Sequence, residues 1–193
     1  AKQHGVRVVL DANGPALAEA LKVGVYLFKP SLRELRDLMG HDLPDQDSQV
    51  AAAQQLIHSK HRSEQIFGIL TLGHMRTATA WNALEDLLAQ PSNSLAAYAG
   101  WAMFQISPQQ AAPLVVAQLV KRQDIDLLRA TSLFKPFRQY LHAPLAKLIG
   151  LANAPAANVQ QNDPRAWLLR IGYAIGLPLP GADLRMLLAR EQP

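Results

Sequence analysis

The chain has 193 residues, of which 49% are hydrophobic and 18% charged, and it carries a net charge of +4. That excludes a disordered polyelectrolyte and leaves room for one or two packed domains. It has no cysteine, which rules out disulfides and thiolate metal sites, and no apolar run reaches the roughly 18–20 residues that a membrane-spanning helix needs.

Ala1–Arg7 lacks the apolar stretch of a signal peptide, so a cytoplasmic location is expected. A start at Ala1 rather than Met fits processing or excision from a longer chain. Val6–Leu10 is a short β-branched run that ends at Asp11-Ala12-Asn13-Gly14, and it reads as a buried strand and a turn. Pro15 suits a first helical turn, with Ala16, Leu17, Ala20 and Leu21 apolar at helical spacing up to Gly24. Val25–Phe28 reads as a second strand, closed by Lys29-Pro30. Ser31-Leu32-Arg33-Glu34 is a capping box, and its helix runs through Leu32, Leu35, Leu38 and Met39 to Gly40. A third helix is expected from Asp47 or Ser48, with Val50, Ala53, Leu56 and Ile57 inward. Strand–helix–strand–helix at this length implies a parallel βαβ unit.

Those residues carry a resemblance. Gly5–Leu10, Asp11–Leu17 and Leu27–Leu35 resemble, in order, the middle of the ribokinase-like sugar kinases, in the branch that phosphorylates fructose or tagatose phosphates. It covers 1–60. Family members carry Lys-Pro-Asn-x-x-Glu-Leu where this chain has Lys29-Pro30-Ser31-Leu32-Arg33-Glu34-Leu35. In the family the Asn and Glu organise magnesium and nucleotide phosphate. The resemblance therefore offers Lys29, Ser31 and Glu34 as nucleotide-site residues, with Mg-ATP as cofactor. Ser31 replaces the Asn with a shorter group that has no amide. The family's Gly-rich turn with its general-base Asp has no counterpart here. Gly181-Ala182-Asp183 comes nearest and lacks the paired glycines. In the family that turn holds the developing charge on the transferring phosphoryl group, so phosphoryl transfer is not expected of this chain.

From residue 61 onward the period becomes helical. Gly68–Gly73 reads as a helix end, Thr77 or Thr79 as a new start, and Pro91–Ser94 as a turn. A helix over 95–106 is broken at Ser107-Pro108, and one over 112–120 follows. Later helices are expected at 125–133, 137–151, 164–175 and 182–190. Ile69, Leu72, Ala83 and Leu87 match Trp101, Phe104, Val115 and Leu119 in phase, at a spacing of about 31–32 residues. Ala112-Pro113-Leu114 recurs as Ala143-Pro144-Leu145. The pattern resembles short HEAT-type repeats, in which each helix pair buries its apolar face on its neighbours. The expected fold is mainly α: a small βαβα segment over 1–60, then an α-solenoid over 61–193. A natural fusion, an engineered or recombined chimera, and a gene-assembly artefact all fit such a join.

Candidates for chemistry are sparse. His58 and His61 share spacing but have no third ligand nearby, so no metal site is expected. His74 and His142 have no Ser or Asp partner in the sequence. Trp81, Trp101 and Trp167 read as core. Residues 1–66 hold 8 basic and 8 acidic side chains, and 67–193 hold 11 and 7, so the whole excess lies in the second part. Lys121, Arg122, Arg129, Lys135, Arg138 and Lys147 cluster there as a candidate anion- or partner-binding stripe. Without interleaved aromatics they point to an acidic partner rather than nucleic acid. The expected function is a non-catalytic interaction module that meets a protein on its solenoid face and needs no cofactor. The alternative is a phosphosugar-kinase fragment that retains weak Mg-ATP binding.

Overall fold

A computed structural model describes residues 9–10, 27–28, 30–90, 93–121, 127–149 and 164–177. The chain divides into two compact units, Ala1–Leu87 and Leu88–Pro193. Described residues are mainly helical. The helices expected at 15–21 and 182–190 lie outside them.

In the first unit, β1 (Val9–Leu10) and β2 (Leu27–Phe28) pair in parallel, Val9 opposite Leu27 and Leu10 opposite Phe28. α1 (Leu32–Met39) starts on the Ser31 cap and stops at Gly40, whose φ of 73° is the left-handed conformation that glycine adopts without penalty. α2 (Gln46–Ile57) and α3 (Arg62–Met75) are the tightest pair of this unit. Val50, Ala53, Leu56 and Ile57 are all buried, as their spacing requires.

Gly68 of α3 explains the closeness. A Cβ placed there would lie 2.6 Å from the Ala53 carbonyl oxygen and 3.0 Å from Ile57 Cγ2 and Leu56 Cβ. The helix backbones approach because Gly68 has no side chain. Phe67 to Gly73 are buried without a break, so this stretch of α3 is enclosed all round. The helix does not end at Gly73. It runs to Met75, and Arg76 supplies the left-handed cap at φ 51°. A helical turn at Ala78–Ala80 leads into α4 (Trp81–Ala89), whose Leu84, Leu87 and Leu88 are buried.

The second unit contains α5 (Asn93–Ile106), α6 (Pro108–Lys121), α7 (Leu127–Phe134), α8 (Arg138–Ile149) and α9 (Pro164–Ala174). Pro108 does not separate α5 from α6 by a loop. The Ser107 N–H donates to Met103 O at 2.9 Å, and the Ala111 N–H donates to Ser107 O at 2.9 Å. One residue thus ends α5 and starts α6. Pro108 fits because a first helical residue has no intrahelical partner for its N–H. A tight turn at Lys135–Phe137 precedes α8, so that helix begins at Arg138 rather than Phe137.

α5 packs on α6 and α7, and α6 on α8. α9 packs on α6, α7 and α8. Ala96, Ala99, Ala102, Val115, Val116, Leu119, Ala130, Phe134, Leu141 and Leu145 form the core. Of the residues in phase along the repeat, Ile69, Leu72, Leu87, Phe104, Val115 and Leu119 are buried, while Ala83 and Trp101 are half-buried.

Candidate functional site

The capping box at the start of α1 forms in full. The Glu34 amide donates to Ser31 Oγ at 3.3 Å, and the Ser31 amide donates to Glu34 Oε2 at 2.7 Å. Two amide groups that the helix geometry leaves without partners are satisfied by these two side chains. One oxygen of the Glu34 carboxylate is therefore engaged by the Ser31 amide. Glu34 is half-buried and Ser31 exposed. Lys29, the third residue suggested by resemblance, lies outside the described residues.

A second box, at the start of α2, differs from the sequence expectation of a helix beginning at Asp47 or Ser48. Asp45 is the cap. Its Oδ1 accepts from the Ser48 amide at 2.7 Å, and the Asp45 amide donates to Ser48 Oγ at 3.3 Å. The backbone N–H of Ser48 first, and its hydroxyl second, hold the Asp45 carboxyl below the usual aspartate range. The signal was present in Asp45-x-x-Ser48, but serine is a rarer partner at the fourth position than Glu or Gln.

Of the basic residues, Lys121 ends α6, Arg129 lies in α7, Lys135 in the turn, and Arg138 and Lys147 in α8. Lys121, Lys135, Arg138 and Lys147 are exposed, and Arg129 is half-buried. Arg122 lies outside the described residues. Arg129 is turned onto the Tyr98 ring of α5, its guanidinium carbon 5.7 Å from the ring centroid. The sequence offers Arg129 as part of the candidate anion- or partner-binding stripe and does not reveal this contact. Tyr98 and Arg129 are 31 positions apart, so the repeat spacing itself was the available signal.

His58 follows α2 and His61 precedes α3, both exposed. Among the described residues no three His, Asp or Glu side chains group as metal ligands. Ser59 Oγ donates to Glu64 Oε2 at 2.5 Å and accepts from the His61 amide at 3.0 Å, which ties the link between the two helices. His74 and His142 are exposed. Trp81 is half-buried, and its Nε1 donates to Glu85 Oε2 at 3.1 Å. Thr71 Oγ1 and Trp167 Nε1 are enclosed with no hydrogen-bond partner. No described helix is long and apolar enough to cross a membrane.

Comparison with known proteins gives short similarities. A stretch of 54 residues is 48% identical to a 1-phosphofructokinase of Haemophilus influenzae, covering 28% of this chain and 17% of that protein. A stretch of 60 residues is 37% identical to the ATP-dependent 6-phosphofructokinase isozyme 2 of Escherichia coli, covering 31% of this chain and 19% of that one. No family model matches, and no solved structure matches. The chain spans less than a fifth of the length of these two relatives, and what the similarities support is a sugar-kinase-like segment within it.

Proposed function

We propose that this chain is a helical interaction module that carries a sugar-kinase-like segment and acts by binding rather than by phosphoryl transfer. The observation that carries this reading is the contact between Tyr98 and Arg129, one repeat period apart on α5 and α7. It accompanies like-on-like packing, with α5 on α7, α7 on α9, and α6 on α8. Helix pairs of the HEAT type stack in this way, because each pair has an apolar face that only its neighbours can cover. The additional packing of α9 on α6 departs from a simple stack.

The partner class that suits the second unit is an acidic protein surface. Lys121, Lys135, Arg138 and Lys147 are exposed there, and the sequence excess of basic residues falls after residue 66. The test is binding of a polyanion by the whole chain and by Lys121→Glu/Arg122→Glu, at low and moderate salt. Affinity should fall with added salt and drop in the variant, as it does when counterions are released from paired charges. No measurable binding at low salt, or equal binding by the variant, removes the acidic partner.

The second reading is a phosphosugar-kinase fragment that still binds Mg-ATP. Its support is the 48% identity over 54 residues to a 1-phosphofructokinase. Against it stands the lack of a Gly-rich turn with a general-base Asp in the sequence.

A further inference from the structure

We draw no further inference here: the strongest candidate, the exposed apolar side chains Leu128, Leu148 and Tyr173 on α7, α8 and α9 of the second unit, carries nothing because nothing among the described residues shows what covers them.

Discussion

Gly68 sits where α2 and α3 approach each other closely. Its missing side chain lets the Ala53 carbonyl approach to where a Cβ would sit, and the obstacle is backbone that cannot rotate away. Gly68→Ala should therefore destabilise the first unit by about 1–3 kcal/mol, despite alanine's better helix propensity. Urea unfolding followed by circular dichroism measures it, and a variant as stable as the parent would contradict the packing. Asp45 makes a pH-dependent contribution. Its carboxyl is held below the usual range by Ser48, so the folded state favours the charged form. The stability it adds is present above the unfolded value of about 3.9 and is lost as pH falls through the lower folded value. Asp45→Asn keeps an acceptor at the cap, so it should flatten that acid limb while leaving stability near neutral pH little changed. An identical acid profile for parent and variant would show that the Asp45 cap does not form.

At the scale of elements, one cap and one end were legible in the sequence, Ser31 and Gly40, whereas the Asp45 cap and the true end of α3 were not. Ser31-x-x-Glu34 names both partners of a reciprocal box, and the structure forms it. Gly73 misled because a glycine after an apolar run normally marks a stop. Here it is buried within α3, and the left-handed cap falls on Arg76, a residue type with no preference for that conformation. Pro108 misled in the same sense: a proline that breaks one helix is well suited to begin the next. Contacts between helices were legible only as phase. Tyr98 and Arg129 meet because α5 packs on α7. A double-mutant cycle with Tyr98→Leu and Arg129→Met should give a coupling of about 0.5–1 kcal/mol, the range for a partly exposed cation over a ring. Additive losses would mean that the guanidinium does not sit over the Tyr98 ring as described.

For the whole molecule, the sequence implies a short strand-bearing beginning and a helical remainder. The described residues are mainly helical, with one parallel two-residue strand pair. The change of hydrophobic period near residue 60 does not coincide with the division of the molecule. α2 and α3, on either side of it, pack on each other within one unit that runs to Leu87. Periodicity reports local conformation, whereas compactness depends on which faces meet, and α3 is enclosed over Phe67–Gly73. The candidate site was legible in part for a related reason. Ser31 and Glu34 are close in sequence and their chemistry is local. The basic residues are spread over three helices and a turn, where their mutual placement depends on packing. The central claim, that the chain binds through its helices and does not handle nucleotide, is tested most directly by calorimetric titration of the intact protein with Mg-ATP, with and without fructose phosphate. The account predicts no saturable heat in the micromolar range under either condition. Saturable micromolar binding of Mg-ATP, strengthened by the sugar phosphate, would contradict it and establish the kinase-like segment as a working nucleotide site.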